Sequence, residues 1–315
     1  MGKCLFFHSA CSTFWERLEE YNIRGFCELI SYWEILTHKW SFDKINDLAT
    51  KRQVVMIDSG AFSAYNSKYD INMADFIKWQ NDLTRECPTV WYKAALDVIG
   101  SWEGTQKNQE ITDAAGLKLF PCYHQQDPMD FLEWIMARKY EYVALGGLVG
   151  AGFTNTEAMK PWFDKVYSRL CNPDGTPQIK THIFGIADVT ILHRYPAFSA
   201  DSATALWIGS YGSIVVPRLD SYSCLPQWDT PLLKLAVSDQ SPARGVNGQH
   251  YDTLRPPQQA YVEGFCQKLG FDVKQMRNDH ELRKVFCLKM LQEQGDHYPE
   301  DTRFIPGVKE YDLFG

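Results

Sequence analysis

The chain has 315 residues, 45% of them hydrophobic, enough to bury a large core in one barrel-sized domain with additions. Lys and Arg total 32 against 39 Asp and Glu, a formal net charge of -7, which excludes a uniformly basic nucleic-acid binder but not a local basic patch. Nine cysteines stand as singles with no Cys-x-x-Cys pair, which argues for a reducing compartment rather than a disulfide framework.

Short apolar runs recur along the chain and read as strands: Leu5 to Ser9, Phe26 to Tyr32, Val54 to Asp58, Trp91 to Asp97, Lys118 to His124, Tyr142 to Gly147, His182 to Gly185 and Ala197 to Asp201. Several are continuous rather than alternating, as in strands buried on both faces. Helical stretches lie between them. Asn72 caps one that carries Phe76, Ile77 and Leu83 on one face. Asp127-Pro128 opens another with Phe131, Leu132, Ile135 and Met136, and Trp162, Phe163, Val166, Tyr167 and Leu170 mark a third. Eight strands alternating with helices predict an α/β fold, a (β/α)8 TIM barrel over 1–205. An open doubly wound sheet is the weaker alternative, because polar residues and glycines gather at the C-terminal end of nearly every strand.

Residues 206–315 read as loop-rich decoration and C-terminal helices packed on the barrel in the same structural domain. Over 202–255, Ser, Pro, Gly and aromatics dominate, with few helical signals. Pro256-Pro257 then opens a helix ending at Gly270, and a last helix runs from about Asp279 to Gln292. No stretch is apolar for long enough to span a bilayer, and no signal peptide precedes the first strand, so the expectation is a cytoplasmic protein with no membrane contact.

The strand ends collect carboxylates at Asp58, Asp97 and Asp201, with Cys122-Tyr123-His124-Gln125, Gly146-Gly147 and Gly185 at the others. A charge beside a buried strand must be paired, hydrated or neutralised, and barrel enzymes draw their catalytic residues from these ends. Any single Asp there could equally cap the next helix, and Asp188 reads as a cap because a helical stretch follows it. Gly146-Gly147 offers bare backbone to a flat ligand or simply makes a tight turn, and it lacks the spacing of a phosphate-binding loop.

Asp58-Ser59-Gly60-Ala61-Phe62 resembles the Asp-Ser-Gly-Gly-Phe signature of tRNA-guanine transglycosylases, and Gly146-Gly147-Leu148-Val149-Gly150 resembles their Gly-Gly-Leu-Ala-Val-Gly loop, in the same order over roughly residues 50 to 205. Two departures point to a divergent branch. Asp201 is followed by Ser202-Ala203-Thr204 rather than Pro-Thr-Arg, and nothing has the spacing of that family's zinc site. The chain is most similar to the DpdA-type DNA-guanine transglycosylases of phages and bacteria.

The resemblance implies a glycosyltransferase, a pentosyltransferase that replaces guanine in DNA with a free 7-deazaguanine base such as preQ0, without cofactor or metal, in the host cytoplasm if phage-encoded. Asp201 would be the nucleophile forming a covalent sugar–enzyme intermediate, and Asp58 the general acid/base. Asp97 would bind the base's N–H groups, Gly146 and Gly147 its carbonyl, with His124, Gln125 and Gly185 completing the pocket and Phe62 or Tyr65 stacking or filling core. Arg194, Arg218, Arg244, Arg255 and the Arg277 to Lys289 stretch would meet phosphates. The alternatives are the same exchange in tRNA, a nucleoside or glycoside hydrolase on a TIM barrel, and a binding protein with a decayed site.

Overall fold

Side-chain alternation along eight short parallel strands sets the architecture. In the computed structural model, which describes residues 3–148, 156–223 and 225–306, these are β1 (Leu5–Ser9), β2 (Cys27–Ser31), β3 (Val54–Asp58), β4 (Tyr92–Lys93), β5 (Cys122–His124), β6 (Tyr142–Gly146), β7 (Lys180–Ile183) and β8 (Ser199–Ser202). They pair in the order β4-β3-β2-β1-β8-β7-β6-β5. The two ends meet just beyond β4, where Ala94 bridges Phe120 and the Ala95 N–H donates to the Phe120 carbonyl at 2.9 Å. The expected (β/α)8 barrel is therefore the fold.

One face of each strand fills the barrel and the other meets the helices. Phe7, Cys27, Leu29, Met56, Ala94, Phe120, Cys122, Tyr142 and Ala144 pack together inside. Their neighbours Val55, Ile57, Tyr123, Val143, Leu145, Ile183 and Ala200 belong to the clusters beneath the helices. Both faces are apolar, which is why the sequence runs looked continuous. Burial of the outer layer is completed by helices such as Met73–Glu86, capped by the Asn72 side chain accepting from the Ala74 and Asp75 N–H groups, and Lys160–Leu170. Asp188 caps Val189–Arg194 as expected. At Met129–Ala137 the expected Asp127 cap is absent, because the Asp127 carboxylate turns back to accept from the His124 N–H at 2.7 Å.

A buried ion pair ties β2 to the helix before β3. The Arg52 guanidinium meets the Glu28 carboxylate, which also accepts from Trp15 Nε1 at 3.0 Å. Burial raises the Glu28 pKa, and Arg52 opposes that shift.

Past β8 the chain is more regular than its composition suggested. The helix Thr204–Ser210 leads into an antiparallel pair, Ser213–Val216 with Leu233–Ala236. The last helix, His280–Asp296, lies across that helix and buries Val285, Phe286, Cys287 and Leu288 in the cluster that also holds barrel residues. Gly209 is the point of closest approach: a Cβ there would stand 2.6 Å from the Lys284 backbone nitrogen. The Gly209 carbonyl accepts from Arg283 Nε at 2.8 Å. Gly209→Ala must therefore push the two helices apart. We expect a loss of about 1–3 kcal/mol, the usual range for overpacking, measured by urea unfolding against a Gly264→Ala control that has open space around it.

Candidate active site

Strand register carries four polar side chains to one rim. Asp58 lies two residues beyond the inward-facing Met56, and His124 two beyond Cys122. Asp201 shares its face with Ser199 and stands level with Phe7 of β1. Asp97 follows the short β4 and reaches back to the same place. The three expected carboxylates are brought together closely enough that the charges of Asp97 and Asp201 both act on Asp58.

Two glycines make room for this crowding. A Cβ on Gly146 would lie 3.0 Å from Cys122 Sγ and 3.1 Å from His124 Cδ2, so a side chain on β6 would displace the imidazole. Gly60 has φ +76°, and a Cβ there would lie 2.5 Å from the Trp33 nitrogen. Its turn lets the Gly60 N–H donate to Asp58 Oδ2 at 2.9 Å. Gly147, at φ +70°, makes the tight turn that was one of its two readings. Val149 and Gly150 of that loop lie outside the described residues.

Each carboxylate has a different set of partners. Asp97 is satisfied on both oxygens: Ser59 Oγ donates to Oδ1 at 2.7 Å, and His124 Nε2 meets Oδ2 at 2.8 Å. Burial would raise its pKa, but His124 and Ser59 outweigh burial and hold it below the ordinary value. For His124, burial disfavours the charged ring, yet Cys122, Asp127 and Asp97 push its pKa well above the ordinary value. Asp58 lacks such a partner. Burial first, and then the Asp97 charge, push its carboxyl up to about 7 against the opposing Gly60 N–H, with Asp201 adding to the rise.

Asp201 closes a chain that reaches into the barrel. Its Oδ1 accepts from the Gly185 N–H at 2.9 Å and faces His182 Nε2 at 3.3 Å. His182 Nδ1 is 2.5 Å from Ser199 Oγ, which in turn contacts the Tyr142 hydroxyl. Burial keeps the Tyr142 phenol protonated, and either hydroxyl can donate in its contact with Ser199. When Ser199 donates to His182 Nδ1, the Nε2–H tautomer points at Asp201.

Several of the expected ligand-binding groups already have partners within the protein. The Asp97 oxygens expected to receive a ligand's N–H groups are held by Ser59 and His124, and the Gly185 N–H expected to face a ligand is held by Asp201. His124 pairs with Asp97 rather than standing free for a carbonyl, and the Gln125 N–H donates to the Gly146 carbonyl at 3.0 Å. Phe62 and Tyr65 are exposed rather than core. His182 and Ser59 were missed as site residues. The inward alternation His182, Ser199, Asp201 could have indicated the first, and nothing in the local pattern marks the second. The trio Asp97, Cys122 and His124, whose ligand-capable atoms lie within 4.8 Å of one another, is the cluster able to hold a metal among the described residues.

The cations expected to meet phosphates are largely engaged within the protein. Arg277 bridges Asp239 and Asp252, Arg194 pairs with Asp164, Lys289 with Glu293, and Arg283 is buried against backbone carbonyls.

No family model and no curated protein matches the chain. Solved structures similar to it include the tryptophan synthase alpha chain of Legionella pneumophila, at 9% identity and TM-score 0.45, covering 94% of this chain and 92% of that one. The alpha subunit in the tryptophan synthase complex of Pyrococcus furiosus is another, at 16% identity and TM-score 0.41, covering 67% of this chain and 93% of that one. Likeness this distant carries no activity across. The expected base exchange in DNA or tRNA therefore finds no support in these likenesses and is withdrawn: the structures named are of tryptophan synthase, not of pentosyltransferases. The physical reason for the misreading is that an Asp and a Gly-Gly pair at strand ends are rim features of the barrel itself, so two such motifs in order did not specify the chemistry.

A raised carboxyl pKa makes stability fall with pH. Asp58 is protonated in both folded and unfolded states below about 4, so its folded form bears no penalty there. The penalty grows as pH rises from about 4 to about 7, where the folded carboxyl ionises, and reaches at most about 4 kcal/mol. Asp58→Asn should therefore stabilise the fold at pH 8 and leave it nearly unchanged at pH 4. Urea unfolding at both pH values, on chelator-treated protein, checks this; equal effects at the two values would remove the shift.

Proposed function

We propose that the barrel mouth is the active site of an enzyme that works by general acid–base catalysis. Asp58 is the acid that gives up a proton, and Asp201 is the acceptor held in place by Gly185 and His182. The observation that carries this reading is the unequal partnering of three carboxylates on one rim: Asp97 and Asp201 are met by a histidine and by donors from other segments, while Asp58 is met by the backbone N–H groups of its own turn, Ser59 and Gly60. A carboxyl whose pKa lies near neutrality has the proton affinity that acid–base catalysis at physiological pH uses best.

The same charges set the substrate class. The Asp97 and Asp201 charges that act on Asp58 also disfavour an anion beside it and favour a small molecule that presents N–H or O–H donors, or a positive charge. Gly146 and Gly147 leave the strand-six side of the rim without side-chain bulk, which suits a flat molecule. The reaction supported is a proton transfer, in which Asp58 protonates a departing or developing anion and Asp201 takes a proton from the opposite side.

A panel of small cations, neutral donor-rich heterocycles, carboxylates and phosphates, screened by thermal shift and ligand-observed NMR, tests this reading. We expect binders among the cations and neutral donors, with a Tm gain of several degrees at saturating ligand. Asp58→Asn and Asp201→Asn should weaken those binders at least tenfold. Preferential binding of carboxylates or phosphates at this mouth would contradict the proposal, as would unchanged affinity in both variants.

A further inference from the structure

The rim holds a second constellation beneath the acid–base pair. Cys122 and His124 lie on the inward face of β5, two residues apart, and Asp97 meets them from the end of β4. Cys122 Sγ is 3.5 Å from His124 Nε2, and Asp97 Oδ2 is 2.8 Å from the same nitrogen. Both Cys122 and His124 are 3% exposed.

We propose that Asp97, Cys122 and His124 form a binding site for a zinc-class divalent transition metal, with a fourth position open toward the barrel mouth. Tetrahedral bonds of about 2.0–2.3 Å place ligand atoms roughly 3.3–3.7 Å apart. The sulfur–nitrogen separation already falls in that range. The oxygen–nitrogen separation is shorter by about half an ångström, within reach of a small rotation of the Asp97 side chain, which is partly exposed at the rim.

A further observation points to a metal rather than to a simple ion pair. His124 Nδ1 is buried without a hydrogen bond, and Asp127 Oδ2 stands 3.5 Å from it. That is the position of the carboxylate that orients a metal-bound histidine from behind. Gly146 packs directly beside Cys122 Sγ and His124 Cδ2, so no side chain of β6 intrudes on the pair. One sulfur, one imidazole and one carboxylate form a borderline-soft set that favours zinc, cobalt or iron over magnesium or calcium. Three protein ligands with one open position is the arrangement of catalytic rather than structural zinc. Binding is balanced by release of the Cys122 thiol proton and of the proton on His124 Nε2, so affinity rises with pH.

This site shares Asp97 with the acid–base mouth but rests on its own geometry, and failure to bind metal would leave the titration of Asp58 in metal-free protein untouched. The test is titration of chelator-treated full-length protein with cobalt(II), followed by near-ultraviolet absorption and by metal content after gel filtration. We expect one cobalt per chain with a thiolate-to-cobalt band, displaced by zinc and unaffected by magnesium. Cys122→Ser should abolish the band while retaining the far-ultraviolet circular dichroism of the parent and its other cysteines. Should that variant fail to fold, Asp97→Asn keeps the thiol and should bind cobalt at least tenfold more weakly with the band retained at saturation. Absence of stoichiometric binding, a band that survives Cys122→Ser, or unchanged affinity in Asp97→Asn would overturn the proposal.

Discussion

Repulsion among three carboxylates at one rim is the constraint around which this site is organised. Like charges a few ångströms apart repel by several kcal/mol at the dielectric of a protein surface, so they cannot all be equally ionised without compensation. The strands distribute that compensation unevenly. β5 supplies His124 to Asp97, and the β3 turn supplies Ser59; β7 supplies His182 and the Gly185 N–H to Asp201. Asp58 receives only backbone N–H groups of its own turn, from Ser59 and Gly60, and bears the repulsion of the other two. The chemistry proposed at the mouth follows from that inequality rather than from any single residue.

Barrel geometry makes the inequality possible. Parallel strands in register keep inward-facing positions level, so a residue two past an inward apolar one must face the mouth. Met56 leads to Asp58, Cys122 to His124, Ala144 to Gly146 and Ser199 to Asp201. The glycines are part of the same requirement. Without Gly146 the imidazole that neutralises Asp97 would have no room, and without Gly60 the turn that feeds the Asp58 carboxylate would collide with Trp33. Outside the barrel, the Glu28–Arg52 pair and the close crossing at Gly209 hold the surrounding layers in place.

The barrel was legible in the sequence because its strands are apolar on both faces and end in polar residues, a pattern that survives without long-range information. Val54 to Asp58 could be read residue for residue, whereas β4 shrinks to Tyr92–Lys93 because closure there depends on the Ala94–Phe120 bridge. The helix Thr204–Ser210 was hidden among Ser, Gly and aromatic residues, since its stability comes from packing against His280–Asp296 rather than from its own propensity. At the site, the positions of Asp58, Asp97 and Asp201 were readable, but their partners were not. That His124 would pair with Asp97, and His182 with Asp201, depends on contacts 27 and 19 residues apart that no local motif encodes. The same blindness allowed two rim motifs to suggest a base-exchange chemistry.

Asp58 keeps its proton near neutral pH because burial and the charges of Asp97 and Asp201 hold its carboxyl up to about 7. Carbon-13 NMR of carboxyl-labelled aspartate in chelator-treated protein, with the Asp58 resonance assigned through Asp58→Asn, measures this directly. A midpoint near pH 7 is expected for that resonance, falling toward the ordinary carboxylate range in Asp97→Asn, because one of the two repelling charges is then gone. A midpoint near 4 in the parent protein would contradict it.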